Sequence, residues 1–277
     1  MKKSYYILAL LATILFSSCQ GFNKLMNNPD QSYKYEAAKA YFAQGKYTKA
    51  ETLLNDIIVV LKGSDKGEES LYMLGMSYYN DNDMTMAHET FSQYVTTYPR
   101  GTFIELARFY SGKSLYLYSP EARLDQSGTY NAISELQAFV ELFPNSEKKN
   151  EAQFMIFDLQ DKLVEKELYS ARLYYNMGNY LGNNYQACVI TAQNALNDFP
   201  YSEHREELSY LVLRAKYEMA ENSVLSRRIE RYRDAQDECY AFRNEFPESK
   251  YIKEANEMLE KTEKVLANVS DDELWII

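Results

Sequence analysis

Two histidines, three cysteines and one run of close carboxylates are the side chains from which this chain could build chemistry. His88 and His204 could ligate a metal or move a proton. They stand more than a hundred residues apart, with no Cys, Asp or second His at ligand spacing around them. Asp81-Asn82-Asp83 has the opening of a calcium loop, but the glycine and the twelfth-position glutamate that such a loop needs are missing. The segment reads instead as a turn between two helices. Arg227, Arg228, Arg231 and Arg233 form a basic cluster that Glu230 and Asp234 offset at helical spacing, the pattern of a solvated face. Cys188 and Cys239 could pair in an oxidising compartment. Cys239 falls four residues after Ala235, on a core register, so both read as core thiols. A glycine-rich phosphate loop and a strand–turn–helix nucleophile are both absent from the sequence. The residue types predict no catalytic residue, no metal site and no cofactor.

Cys19 is the exception. Lys2 and Lys3 precede an apolar run from Tyr5 to Phe16, too short to span a bilayer and of signal-peptide length. The run ends in Leu15-Phe16-Ser17-Ser18-Cys19. Small residues directly before a cysteine resemble the lipobox of bacterial lipoproteins, although Phe16 stands where leucine is usual and Leu15 lies one place further back. The resemblance implies a signal peptide over 1–18, lipidation of Cys19 and a short tether over 19–31. Several acyl chains on one residue make a stable membrane anchor, where a single chain would be marginal. Gln20 follows the cysteine, so the aspartate of the common inner-membrane retention signal is missing. The expected location is the outer membrane, lipid-anchored, on its periplasmic face.

The rest of the chain repeats. An aromatic residue, proline, one further residue, then Gly or Ser recurs four times: Tyr98-Pro99-Arg100-Gly101, Phe143-Pro144-Asn145-Ser146, Phe199-Pro200-Tyr201-Ser202 and Phe246-Pro247-Glu248-Ser249. Ala87, Ala132 and Ala235 each lie twelve residues before the proline, and Ala187 thirteen before. Proline stops a helix and pushes the preceding residue out of the helical region. Ser146, Ser202, Ser249 and Thr102 can then cap the next helix. Ala38, Gly75 and Gly112 recur at intervals of 37, as do Tyr35, Tyr72 and Phe109, and Phe42, Tyr79 and Tyr116. Small residues at one register let two helices approach closely.

The pattern resembles the tetratricopeptide repeat and predicts an all-α solenoid of stacked units. Five helical pairs are expected at about 32–61, 68–98, 103–143, 148–199 and 203–246. A helix over about 250–267 would cap them. The run from Lys148 to Met177 reads as one long helix, a spacer of about 45 Å. Residues 32–145 form the expected N-terminal array, 146–267 the C-terminal one and 268–277 a tail. Trp275-Ile276-Ile277 leaves two readings open, a frayed end or a docking peptide.

A net charge of −10 and a pI near 4.9 exclude a nucleic-acid binder, since no basic stripe can displace counterions from phosphates. Twenty-six tyrosines offer contact area with a polar tip. Tyr35, Tyr72 and Phe109 lie two helical turns before Phe42, Tyr79 and Tyr116, so both sets share one face of each first helix. Two readings follow: an aromatic ladder there would bind alternate side chains of an extended peptide, or the rings would pack between first helices.

The combination of lipobox, tether and five repeats resembles the BamD family, lipoproteins of the outer-membrane β-barrel assembly complex. Tyr33 to Ala50 looks like its first repeat and Leu124-Asp125-Gln126 with Thr129 like its repeat-three insertion. Leu163 to Gly178 looks like its long helix and Asn244 to Glu254 like its closing repeat. The resemblance implies a non-catalytic scaffold and receptor. Its N-terminal repeats would receive unfolded outer-membrane proteins. Its C-terminal repeats, dense in charge from Glu203 to Glu207 and from Arg227 to Glu238, would dock the POTRA domains of a BamA-like barrel subunit beside other assembly lipoproteins. The alternative is a periplasmic tetratricopeptide lipoprotein that scaffolds cell-wall enzymes.

Overall fold

The computed structural model describes residues 21–268. Cys19, the signal segment and the Trp275–Ile277 end lie outside the described residues. Among the described residues there is no strand, and helical residues 21–26 are followed by eleven helices. We number them α1 (Gln31–Ala43), α2 (Tyr47–Ile57), α3 (Asp65–Asn80), α4 (Met84–Thr97), α5 (Ile104–Tyr118), α6 (Ser127–Leu142), α7 (Lys149–Met177), α8 (Asn184–Asp198), α9 (Arg205–Glu221), α10 (Leu225–Glu245) and α11 (Ile252–Ala267). They form the five tetratricopeptide-type pairs and the closing helix that the repeat phrase predicts. The run from Lys149 to Met177 is one helix of 29 residues.

The chain divides into two compact units. One holds the chain through Ser119 together with Gly128–Ile156; the other holds Pro120–Ser127 and the chain from Phe157.

The proline phrase closes the same turn each time. Tyr98, Phe199 and Phe246 end α4, α8 and α10 with φ of −126°, −133° and −126°, outside the helical region, as a residue before proline must be. In all four copies the amide three residues after the aromatic donates to its carbonyl: Gly101 to Tyr98 (2.9 Å), Ser146 to Phe143 (3.1 Å), Ser202 to Phe199 (3.3 Å) and Ser249 to Phe246 (3.1 Å). Proline at the second position presets the backbone for such a turn. Ser146, Ser202 and Ser249 accept from the amides of Lys148, His204 and Tyr251 at 3.0–3.1 Å, which tightens the turn. The expected caps are not made on α9 and α11, whose N-cap residues are His204 and Tyr251 and whose first turns receive no side-chain bond. Thr102 departs from the cap reading as well. Its own amide donates to Glu68 Oε1 at 2.5 Å, and no side chain caps α5.

Each turn is also tied to a carboxylate on the first helix of its own pair, a feature that sequence periodicity does not reveal. Glu68 accepts from the Thr102 amide and from the Tyr94 hydroxyl at 2.6 Å. Glu105 accepts from the Ser146 hydroxyl, and Glu206 from the Ser249 hydroxyl, both at 2.6 Å. In the fourth pair Asp161 takes the Glu203 amide at 3.2 Å. Glu68, Glu105 and Glu206 lie in the first turn of their helices, where the exposed amides of the helix start favour negative charge. The antiparallel hairpin brings that end beside the exit turn.

Small residues set how closely the pair members approach. A Cβ on Gly75 would come within 2.7 Å of the Phe91 ring, and one on Gly112 within 2.8 Å of Leu136. Ala38 fills the same register in the first pair and is buried. Ala87, Ala132 and Ala235 are buried on the second helices. In the fourth pair Cys188, not Ala187, is the buried residue at that position, twelve before the proline.

Tyr94 is fully buried, so removing its acceptor leaves the donor of its hydroxyl unsatisfied, while the exposed Thr102 amide exchanges its bond for one to water. Glu68→Ala is expected to lower stability by about 2 kcal/mol. Glu68→Gln, which keeps one acceptor oxygen, should lower it less. The urea midpoints of the two variants check both the loss and its order.

Candidate peptide-binding face

The first helices of the pairs are α1, α3 and α5 in the first unit and α9 in the second, with α7 running from the first unit (through Ile156) into the second and α11 continuing the second series. The six aromatic residues expected to form a ladder lie on α1, α3 and α5, and the structure divides them. Tyr35 and Phe109 are buried, at 3 % and 0 % exposure, so neither offers an open rung. Their register lies three residues before the small residues Ala38 and Gly112, hence on the same helical face. Gly112 faces the second helix of its pair, so the residue one turn earlier is drawn into that interior as well. Phe109 accordingly packs edge-on against Tyr110 and against Phe139 at centroid distances of 5.3 and 5.4 Å. The same register puts Tyr72 half-buried, stacked on Phe103 at 4.5 Å with the rings 9° from parallel. Burial pushes the Tyr72 hydroxyl pKa up.

Phe42, Tyr79 and Tyr116 are half-buried near the ends of their helices. Phe42 meets Tyr47 edge-on at 5.6 Å, and Tyr79 meets Tyr110 at 5.0 Å. These three rings and Tyr72 are partly exposed, and they are what remains of the expected ladder.

Lysines accompany the rings, which aromatic spacing alone did not indicate. Lys39 and Lys66 each stand 5.2 Å from the Tyr35 ring centroid. Lys113 lies 5.7 Å from Phe109 and 6.0 Å from Tyr79, and Lys148 lies 5.3 Å from Phe109. Carboxylates from the next first helix tie these cations down. Lys39 pairs with Glu69 at 2.7 Å, and Glu69 also accepts from the Tyr35 hydroxyl. Lys113 and Lys148 pair with Glu151 at 2.7 and 3.2 Å. The bond from Lys39, then that from Tyr35, holds Glu69 below the usual carboxylate range; Lys113 and then Lys148 do the same for Glu151. Burial opposes charge on Lys113, but the bond to Glu151 prevails and its pKa is raised.

The second unit carries its own row of rings and cations. Arg172 pairs with Glu207, its Nε 2.7 Å from Oε1. The Arg214 guanidinium carbon lies 4.4 Å from the Tyr175 centroid and 5.5 Å from that of Tyr210. Tyr210 stacks on Tyr251 at 4.0 Å, 8° from parallel, and Lys250 stands 4.8 Å from the Tyr251 ring. The 37-residue interval did not lead to this row because α7 is longer than the other first helices and breaks the count. The signal that could have found it is the tyrosine content of 169–175 and 210–217 read helix by helix.

Two hollows sit beside proline turns. One of about 540 Å³ is bounded by Glu105, Leu142, Pro144 and Lys148, and one of about 440 Å³ by Phe157, Asp161, Pro200 and Tyr201. Cys188 and Cys239 are buried free thiols, and burial pushes each pKa up to about 12, so neither is a ready thiolate at neutral pH. His88 Nδ1 lies 3.0 Å from the Ser111 hydroxyl. Among the described residues no cluster of His, Cys, Asp and Glu could hold a metal ion, and no helix is long and apolar enough to cross a membrane.

A family model described as YfiO, outer membrane lipoprotein, matches residues 27–182. The chain is 23% identical over 164 residues to the outer membrane protein assembly factor BamD of Caulobacter vibrioides, a match covering 58% of this chain and 53% of that protein. It is 22% identical over 183 residues to the protein of the same name from Pasteurella multocida, covering 62% and 69%. The chain thus spans between about half and two thirds of the length of these relatives. A solved structure of a putative kinesin light chain with nearly identical TPR-like repeats, from Podosopora anserina, covers 78% of this chain and 95% of its own, with 12% identity and a TM-score of 0.33.

The depressed carboxylates give the first unit a defined acid response. A carboxyl whose folded pKa lies below its unfolded value stabilises the fold above that unfolded value and loses the contribution as pH falls through the folded one. Glu69 and Glu151 both start from 4.5 and are lowered. The urea midpoint should therefore fall as pH drops below 4.5. A Glu69→Gln, Glu151→Gln double variant should start lower at neutral pH and fall less. Unfolding curves at neutral and acid pH check this.

Proposed function

The chain belongs to the YfiO family of outer membrane lipoproteins, and from that membership we propose that it is a non-catalytic scaffold and receptor in the assembly of outer-membrane β-barrel proteins. The observation that carries the proposal is the family match over residues 27–182, which takes in the first three helical pairs and all of α7. The two relatives bear the name of an assembly factor. Helical pairs supply what such a role needs physically: rings and cations repeated from one first helix to the next, suited to an extended chain with alternating side chains.

In this proposal Cys19 carries the lipid and holds the chain to the periplasmic face of the outer membrane. The tether over 19–31 gives reach. The N-terminal repeats, 32–145, receive unfolded outer-membrane proteins on the face that holds Phe42, Tyr72, Tyr79 and Tyr116. The C-terminal repeats, 146–267, dock the POTRA domains of a BamA-like barrel subunit and adjoin other lipoproteins of the assembly. Charge of both signs there would steer association and make it sensitive to salt.

Three measurements test the proposal. Co-purification from the outer membrane in mild detergent should recover a POTRA-containing barrel protein; recovery of cell-wall enzymes in its place would support the scaffold alternative. Cys19→Ser should abolish incorporation of labelled fatty acid, and a wild type that never acquires label would refute the anchor. A photo-crosslinker at Tyr79 should capture unfolded barrel peptides several-fold better than one at Gln93, which is exposed on the second helix of the same pair. Equal capture would remove the first-helix face as the receptor surface.

A further inference from the structure

Arg214 differs from three other cations of the second unit in how it is held. Arg172 is paired with Glu207, Arg205 with Glu245, and Lys216 with Glu238. Arg214 is partly buried, and its neighbours are two rings, Tyr175 on α7 and Tyr210 on its own helix α9. Among the described residues it makes no ion pair and no hydrogen bond. Glu218, one turn further along α9, is near enough to Tyr175 and Tyr185 to influence both, yet it is not paired with Arg214. Ring contact uses the face of a guanidinium and leaves its five N–H donors unspent.

The row does not end at Arg214. Tyr210 stacks on Tyr251, and Lys250 stands exposed over the far ring, with Glu206 and Glu207 near enough to influence it but not in ion-pair contact. Tyr210 is itself anchored, with its hydroxyl donated to Glu254. Arg214 and Lys250 therefore flank Tyr175 on α7, Tyr210 on α9 and Tyr251 at the start of α11, with Arg214 bridging the first two rings and the last two stacked.

We propose that Arg214 and Lys250, aligned by Tyr175, Tyr210 and Tyr251, form a binding site for two carboxylates on an acidic extended segment of a partner protein. A planar carboxylate accepts two parallel bonds from a guanidinium, and a guanidinium already oriented by rings loses little freedom on binding. The second cation favours a segment with more than one carboxylate over a lone anion. Nearby Glu218 and Glu254 disfavour a phosphate dianion more than a carboxylate. The inference does not depend on which assembly the chain joins, so the co-purification test above can succeed where this one fails.

The test uses the full chain in detergent and a fluorescein-labelled, C-terminally amidated peptide of Gly and Ser carrying four glutamates, with a glutamine counterpart and a phosphoserine counterpart. Anisotropy should show the glutamate peptide binding about tenfold or more tightly than the glutamine peptide, with affinity falling as salt rises. Arg214→Lys keeps the charge and the ring contact but lacks the planar fork; it should weaken binding about fivefold with an unchanged melting temperature. Arg214→Ala with Lys250→Ala should abolish it. Phenylglyoxal modification of Arg214, followed by mass spectrometry, should slow when the glutamate peptide is present. The proposal is overturned by any of three outcomes. The glutamate peptide fails to bind or binds no better than its glutamine counterpart, Arg214→Lys binds it as wild type does, or the phosphoserine peptide binds more tightly than the glutamate one.

Discussion

A helix cannot run through the residue before a proline, and four such residues decide where this chain folds back. The consequence is geometric. Each aromatic before a proline leaves the helical region, accepts a turn bond from three residues on, and starts the next helix at a fixed offset. A turn alone sets direction only loosely. The carboxylates of Glu68, Glu105, Asp161 and Glu206 convert each one into a fixed joint by tying it to the first helix of its own pair. Three of those four carboxylates also lie at helix starts, where they satisfy the dipole as well as the turn. One side chain thus couples a local backbone constraint to the closure of a helical hairpin.

Closure at that end sets what the faces of the pair can do. With the helices held antiparallel, the small register at Ala38, Gly75 and Gly112 becomes the point of closest approach. Residues one turn before it fall into the interior. That is why Tyr35 and Phe109 belong to the core while Phe42, Tyr79 and Tyr116, one turn after it and nearer the helix ends, stay partly accessible. Buried rings are not thereby idle. They support lysines that would otherwise be mobile, and those lysines are joined by Glu69 and Glu151 across successive first helices. In the second unit the tyrosines hold Arg214 with its donors unspent. The rings that pack the helices also position these cations, so the pattern of rings and charge on this face comes with the fold.

Repetition made much of this legible in the residues alone. Proline phrases located the ends of α4, α6, α8 and α10, and the 37-residue interval located the small contacts, because both are local or nearly local constraints. The serines of the phrase were readable as acceptors for a nearby amide, since a hydroxyl two residues from an amide needs no tertiary help, but in α9 and α11 that amide belongs to the residue before the helix and the expected cap is not made. The fold class followed, as did the unbroken α7, whose sequence from Lys149 to Met177 offers neither proline nor glycine.

What periodicity could not settle is which side of a shared helical face turns inward. Spacing fixes that two residues lie on one side of a helix; only the position of the neighbouring helix decides whether that side is core or surface. Tyr35 and Tyr79 illustrate the difference, since both belong to repeating aromatic registers and only one is buried. Ala187 and Cys188 illustrate it again: the sequence pointed to the alanine, and packing of α8 against its neighbours buried the cysteine. Ion pairs between helices escaped the sequence, although the local Arg227–Glu230 pair did not. Glu69, Glu151 and Glu207 find their cations 30 to 38 positions earlier in the chain, separations that no local rule constrains. The sequence by itself determined where helices stop and which small residues meet. The tertiary structure decided which rings are open and which cations are left unpaired, because both depend on distances between helices that the chain sets only when it has closed.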